Sequence, residues 1–140
     1  MEIDFGKLNW LAVLAAAIGT FMLGGLWYSA LFGKTWVKMQ GWSDEQAKEM
    51  QANMSPAKFF GGMLASYFVL AIILALLIQS VDIRVVGQGA AAGLGLWLAV
   101  SALKMTDHIA AGKPAGLYLI DSSFQLISLV GMGAVLGGWR

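Results

Sequence analysis

The sequence predicts an all-α integral membrane protein, a four-helix bundle made of two antiparallel hairpins. Of its 140 residues, 59% are hydrophobic and only 12% are charged, whereas a soluble domain carries roughly 25% charged residues. Four apolar blocks, each about twenty residues long, can cross a hydrocarbon core of ~30 Å as helices. A soluble chain of this length could not bury four such segments. We therefore predict a single transmembrane domain covering 1–140.

The four predicted spans differ in what flanks them. They run over about 9–31, 59–78, 85–103 and 117–136. The first follows the acidic start MEIDFGK and is longer than the apolar core of a cleaved signal, so we predict an uncleaved span. Trp27, Tyr28, Trp36 and Trp42 cluster at its end, where amphipathic rings favour the headgroup layer. Trp97 falls in the middle of the third span, which favours a packing role.

The loop 34–58 is predicted to contain a short amphipathic helix. Ser43 is a plausible N-cap, and Gln46 three residues later completes a capping box. Met50 shares one face with other apolar residues, which suits a helix lying on the membrane surface or against the bundle. Ser55 and Pro56 then predict the start of the next helix. The remaining connections, about 80–86 and 106–115, are short, so neighbouring spans should form antiparallel hairpins.

The distribution of lysine and arginine predicts the orientation. Three lie at the termini and the second connection: Lys7, Arg84 and Arg140. Six lie in or beside the first and third connections: Lys34, Lys38, Lys48, Lys58, Lys104 and Lys113. This excess predicts that both termini lie outside and that the first loop lies in the cytoplasm; in a bacterium these would be the periplasmic and cytoplasmic faces of the inner membrane.

Several classes of function find no support in the composition. Cysteine is absent, which excludes disulfides, thiolate catalysis and sulfur-ligated metals. One histidine and two nearby aspartates fall short of a usual metal-ligand set, so we predict no metal site. Neither a catalytic triad nor a nucleotide motif is present, and we predict no cofactor. The net charge of +1 and the lack of a basic run do not indicate nucleic-acid binding.

Small residues recur at intervals of four along the predicted spans. Gly89 and Gly93 open the third span, and Gly133 and Gly137 end the fourth. Such pairs let helices approach closely in lipid, where association gains little from the hydrophobic effect. They can serve a homo-oligomer interface or packing within one bundle, and a chain with four helices to pack favours the second interpretation. If the protein self-associates, we predict that these four glycines are the candidate interface.

Polar residues within the membrane are the candidate functional site, because each is costly without a partner. One group lies at the end of span three and the other in the first half of span four. We name them as Lys104, Asp107, His108, Asp121, Ser122 and Gln125. The short connection between the spans should bring the two groups face to face, with Asp121 paired to Lys104 or His108. They can form a proton or substrate site, or a purely structural clamp, and we favour the clamp.

Two stretches resemble a known bacterial family of small four-helix membrane proteins. NWLAVLAAA at Asn9–Ala17 with LGGLWYSALFGKTW at Leu23–Trp36 is similar to its opening signature, and Gly112–Arg140 is similar to its second. The family is catalogued as domain of unknown function seventeen sixty-one. The chain departs from the family pattern at Ala30, where proline is usual, and at Asp121, where asparagine is usual. The resemblance implies the fold and the membrane location, and no activity.

The leading functional hypothesis is a non-enzymatic membrane protein whose partners include membrane lipids. We expect it to form a homo-oligomer or to join a larger membrane complex as an accessory subunit. Small size and the lack of catalytic residues favour it. The alternative is a small transporter or channel with a polar site around Asp121. An apolar stretch from Leu126 to Val130 counts against a pore through one chain. A lipid- or quinone-handling enzyme is a third, less favoured hypothesis.

The predicted orientation can be tested by cysteine labelling, since the chain has no native cysteine. Because lysine and arginine favour the cytoplasmic side, Lys48→Cys and Glu2→Cys should react with membrane-impermeant reagents from opposite faces. Labelling of Lys48→Cys from the periplasm would overturn the predicted orientation.

Overall fold

The computed structural model describes residues 3–139 and is helical throughout this range apart from the connections. Glu2 and Arg140, which enter the topology argument, lie outside the described residues. A 3₁₀ turn at Phe5–Lys7 precedes the helices, and a π-helical turn at Trp27–Leu31 follows the first of them. The helices are α1 (Trp10–Leu26), α2 (Gly33–Met39), α3 (Asp44–Asn53), α4 (Pro56–Ser80), α5 (Val86–Ala111) and α6 (Ala115–Gly138).

Four of the helical segments in this part of the chain are long and apolar enough to cross a membrane. They are α1 with its π-helical turn, α4, α5 and α6. Large apolar side chains on them point outward: Leu103 is 75% exposed, Ile109 71% and Met22 68%. Such extensive apolar exposure is unfavourable in water and suits a lipid environment. The fold is therefore that of an all-helical, multi-pass membrane protein.

Local sequence signals account for the helix ends. The capping box predicted at the start of α3 is confirmed: the Ser43 hydroxyl accepts from the Gln46 backbone N–H, and the Gln46 side chain accepts from the Ser43 N–H. Ser55 caps α4, with Pro56 in its first turn. At the end of α5, Gly112 has φ +68°, a left-handed conformation that favours glycine. These caps satisfy backbone groups that the helices leave unpaired.

The helices pair differently from the predicted pair of hairpins. α5 packs along α6 in antiparallel contact, as expected for the third connection. However, α4 makes few contacts with α5 despite the short turn between them, and instead packs along α1. α6 also contacts α1 and α4 and is the most buried span. The arrangement of two antiparallel hairpins is thus not confirmed, because surface complementarity rather than connection length decides which helices pair.

The predicted glycines explain the close packing of α5 on α6. A Cβ atom added at Gly89 would collide with the carbonyl oxygen of Gly133, and one at Gly93 would collide with that of Leu129. A Cβ at Gly137 would lie 2.8 Å from the Cα of Gly89. These glycines therefore face the neighbouring helix of the same chain, and their shared surface is not open to a second copy.

The apolar core occupies the half of the bundle nearest the chain termini. Its largest fully buried side chains are Val13 of α1 with Leu74 and Ile78 of α4. α6 closes the core with Leu129, Met132 and Leu136. The opposite half, where α1 ends and α6 begins, is lined by aromatic and polar side chains, and the candidate site lies there.

We predict that a single methyl group at the α5–α6 contact destabilises the fold. Gly93→Ala and Gly133→Ala should each cost about 1–3 kcal/mol or more, because the colliding atoms are backbone and cannot move aside. Gly131→Ala is the matched control on α6, since its Cβ would meet nothing within 4 Å. The measurement is thermal unfolding in detergent. Equal stability of Gly93→Ala and Gly131→Ala would show that the helices are not in close contact.

Candidate functional site

The Asp121 carboxylate is the centre of the candidate site. It lies on α6 about 9 Å along the axis from the start of the helix, at 1.5 Å per residue, and its side chain is only 16% exposed. Its Oδ1 accepts a hydrogen bond of 2.5 Å from the Tyr28 hydroxyl and one of 3.1 Å from Trp36 Nε1. Its Oδ2 lies 3.7 Å from Lys104 Nζ. Three different segments thus contact one carboxylate, two through hydrogen bonds and one through an ion pair.

A change in helical winding brings Tyr28 and Trp36 to this carboxylate. α1 widens into the π-helical turn, closed by a bond of 2.8 Å from the Phe32 N–H to the Trp27 carbonyl. Such turns insert one residue and rotate the side chains that follow, and they occur frequently at functional sites. Gly33 permits the chain to restart as α2, because a Cβ there would lie 2.7 Å from the Tyr28 carbonyl oxygen. α2 then presents Trp36 to Asp121.

Aromatic rings surround the hydrogen-bonded carboxylate. Phe124, one turn further along α6, contacts Tyr28 edge-to-face at 5.4 Å between ring centroids and Tyr67 of α4 at 6.2 Å. Trp36 meets Tyr28 edge-to-face at 5.9 Å. Such aromatic pairs add stabilisation of about 0.5–1.5 kcal/mol each beyond burial. The rings pack against the Tyr28 donor, and the low exposure of the carboxylate strengthens the hydrogen bonds that it accepts.

A second polar network joins α5 and α6 beside the Asp121 cluster. The Ser101 and Ser122 hydroxyls lie 3.1 Å apart, and both residues are buried. Trp97 Nε1 donates to the Ser122 carbonyl at 2.9 Å, and the Tyr118 hydroxyl donates to the Ser101 carbonyl at 3.0 Å. Trp97 therefore contributes a directional bond in addition to the packing role predicted for it. In lipid, such interhelical bonds are worth roughly 0.6–2 kcal/mol each.

The structure brings together some of the predicted site residues and separates others. Lys104 and Asp121 pair, whereas the imidazole of His108 bonds the Pro114 carbonyl at 2.7 Å. Asp107 is exposed on α5, and Ser122 faces the Ser101 network. Gln125 lies one turn beyond Asp121. Within the described range 3–139, its Oε1 is buried without a hydrogen-bond partner, and so is the hydroxyl oxygen of Ser128.

Two residues of the site were missed by the sequence reasoning. Tyr28 and Trp36 had been assigned to the headgroup layer as belt aromatics, yet each donates a hydrogen bond to Asp121. Their separation from Asp121 by more than eighty residues hides the contact. The available indication was that Tyr28 and Trp36 each carry a hydrogen-bond donor, whereas Asp121 in the fourth span needs a partner. Buried Tyr and Trp side chains usually find one.

The arrangement links several helical segments through one carboxylate. Asp121 Oδ1 accepts hydrogen bonds from the Tyr28 hydroxyl and Trp36 Nε1, and its Oδ2 lies within ion-pair distance of Lys104. Over residues 3–139, no group of three or more His, Cys, Asp or Glu side chains is placed to hold a metal ion. The site ties the end of α1, the loop helix α2 and span α5 to one residue of the central helix α6.

Comparison with known proteins identifies a family and gives no characterised relative. A family model described as "Protein of unknown function (DUF1761)" matches residues 11–137, which include the whole candidate site. No curated protein and no solved structure matches the chain.

The hydrogen bonds predict how the site responds to loss of charge. In Asp121→Asn the amide oxygen can still accept from Tyr28 and Trp36, and the lost attraction to the partly exposed Lys104 is worth about 1 kcal/mol or less. Asp121→Leu leaves both donors unpaired and should cost about 1–3 kcal/mol for each. Thermal unfolding in detergent measures both, with the exposed Asp107→Asn as control. A larger loss for asparagine than for leucine would contradict this account.

Proposed function

The chain belongs to the DUF1761 family, whose description names no activity, and on the geometry of the chain we propose that it is a non-enzymatic integral membrane protein. Its role is to assemble, with copies of itself or as an accessory subunit of a larger membrane complex. We place it in the bacterial inner membrane, with the α2–α3 loop in the cytoplasm and the termini in the periplasm. The single observation that carries this proposal is the exposed face of α5.

Two properties of α5 are not expected together in a bundle that is surrounded only by lipid. It is the least apolar of the four spans and also the least buried within the chain. A span that contacts mainly lipid should be among the most apolar, because lipid cannot pair polar groups. A partner that covers α5 in the assembled state resolves this mismatch.

The exposed face of α5 also has the shape that a partner helix needs. Gly87, Ala91, Gly95 and Ala99 follow one another at intervals of four and are all exposed. A Cβ at Gly87 or Gly95 would meet nothing within 4 Å. This surface lies on the side of α5 away from α6 and has the same small-residue spacing that allows close approach to α6. A second α5 or a helix of another subunit can therefore come equally close.

The closed state of the Asp121 cluster supports an assembly role over catalysis. The carboxylate accepts hydrogen bonds from Tyr28 and Trp36 and pairs with Lys104, and the aromatic rings of Trp36 and Phe124 pack against Tyr28. A substrate would have to displace these bonds. As a clamp, the same cluster keeps the cytoplasmic end of the bundle rigid, so that the outer surface of α5 has one fixed shape.

We predict that filling the exposed face of α5 disrupts assembly and leaves the fold intact. Gly95→Leu should lower the native mass of the detergent-extracted protein by whole protomers, or release a co-purifying subunit, because the added side chain keeps a partner helix away. Gly62→Leu on α4 is the matched control, since Gly62 also has open space around it. Circular dichroism checks the fold. A monomeric wild type without partners, or equal masses for all three proteins, would refute the proposal.

A small transporter or channel is the second candidate, and one observation favours it. Asp121, Gln125 and Ser128 lie one turn apart on the same side of α6, and the last two carry buried oxygens without hydrogen-bond partners among residues 3–139. Such oxygens can bind water or a permeant ion. One and two turns beyond Ser128, this side of α6 carries Met132 and Leu136 of the apolar core, so a path through a single chain would end there.

The Asp121→Asn variant separates the two candidates in reconstituted vesicles. A transporter that moves protons through Asp121 should lose pH-dependent flux in this variant while remaining folded. Equal flux in both proteins, or none in either, removes Asp121 as a transport residue and leaves the assembly role.

A further inference from the structure

The short helix α2 turns one face toward the bundle and the other outward. On the inner face Trp36 donates to Asp121 at 3.1 Å. Met39, on the same face, lies so close to α6 that a Cβ at Gly116 would be 2.7 Å from its Cε. On the outer face, Lys34 and Lys38 are one helical turn apart and exposed. The inner contacts therefore fix which way the two lysines point.

The contacts of α2 also fix its depth relative to the membrane. They reach α6 at Gly116 and Asp121, within roughly 10 Å of the start of that span at 1.5 Å per residue. Just beyond α2, the Gln40 carbonyl accepts a hydrogen bond of 3.0 Å from Lys113, in the turn before α6. α2 is thus held at the level of the lipid headgroups, and Val37 on its outer side, 39% exposed, can meet the acyl boundary.

Cations at the two ends of the bundle differ in their partners. At the end with the termini, Lys7 pairs with Asp4 at 3.9 Å and Arg84 with Asp82 at 3.0 Å. At the α2 end, five lysines have no carboxylate within ion-pair distance among the residues that the structure describes. These are Lys34, Lys38, Lys48, Lys58 and Lys113, of which Lys113 donates to the Gln40 carbonyl instead.

Acidic residues of the neighbouring helix do not neutralise these lysines. Asp44, Glu45 and Glu49 are exposed on α3, and none of them forms an ion pair with α2 within 3–139. α3 makes few contacts with the rest of the bundle. The positive charge on the outer face of α2 is therefore available to an external anion.

We propose that Lys34 and Lys38 bind the phosphate headgroup of an anionic phospholipid in the leaflet at the α2 end. Two ammonium groups one turn apart on a helix can converge on one phosphate, which offers several acceptor oxygens. Lysines next to an anionic leaflet are attracted to it, and α2 holds them at its surface. Lys58, in the first turn of α4, adds another cation at the same end. The lipid would secure α2, and with it Trp36, over the Asp121 cluster.

The experiment compares lipid binding by two variants that each lose two charges. The protein is purified in detergent, stripped of lipid and given phosphatidylglycerol or phosphatidylcholine, and bound lipid is counted by native mass spectrometry. The variant Lys34→Gln/Lys38→Gln should bind phosphatidylglycerol roughly tenfold more weakly, because it loses both headgroup contacts. The control Lys7→Gln/Arg84→Gln should bind like wild type, and Lys34→Arg/Lys38→Arg should retain binding even if the glutamine variant folds poorly.

Three outcomes would overturn the proposal. Equal loss in the control would mean that net charge alone attracts the lipid. Equal retention of phosphatidylcholine by the wild type would show that the headgroup charge is not recognised. Equal thermal stabilisation by inorganic phosphate would indicate a soluble phosphate ligand instead of a lipid. Because bound lipid and protomer number are separate readings of the same spectra, failure here is distinguishable from failure of the assembly role.

Discussion

The close contact of α5 with α6 is the constraint on which the rest of the bundle depends. Helices in lipid gain little from burying apolar surface against each other, so dispersion and short-range bonds must hold them. Gly89, Gly93 and Gly133 let the two backbones touch, which places Ser101 beside Ser122 and Lys104 beside Asp121. A bulkier residue at these positions would separate the helices and lengthen every polar contact further along them.

The central position of α6 follows from this contact and from its composition. One side of α6 carries glycines toward α5, and another carries Leu129, Met132 and Leu136 toward α1 and α4. Its first turns carry Asp121, which gathers donors from three other segments. Close packing on α5 and the apolar core stabilise the end of the bundle near the chain termini. The hydrogen-bonded cluster around Asp121 stabilises the opposite end, where α6 begins.

The outer surface suggests how a chain without an evident catalytic centre can act. α5 offers a less apolar, small-residue face that the chain itself leaves open, and α2 offers lysines at headgroup depth. The first would contact protein and the second lipid, and both depend on the rigid cluster around Asp121. In the proposed role, an assembly that is oriented by its leaflet would use both surfaces.

Much of the architecture was determined by the sequence alone. The number of spans follows from four apolar blocks, since each must be long enough to cross the bilayer. The cap at Ser43 and Gln46 follows from local chemistry, because these side chains bond the backbone of their own helix. Glycine spacing predicts close helix contacts, but only the structure shows that Gly89, Gly93 and Gly133 make theirs between α5 and α6 of one chain. The short connection between the last two spans predicted that Asp121 pairs with Lys104 or His108, and the structure shows the pair with Lys104.

Only the tertiary structure decided how distant segments meet. The pairing of α4 with α1 depends on how whole helix surfaces fit, which no local pattern records. The contacts of Tyr28 and Trp36 with Asp121 depend on the π-helical turn, which rotates the end of α1, and on Gly33, which lets α2 fold back. A sequence specifies short-range bonds through neighbouring residues, but these contacts join residues more than eighty positions apart. Their geometry exists only once the helices have packed.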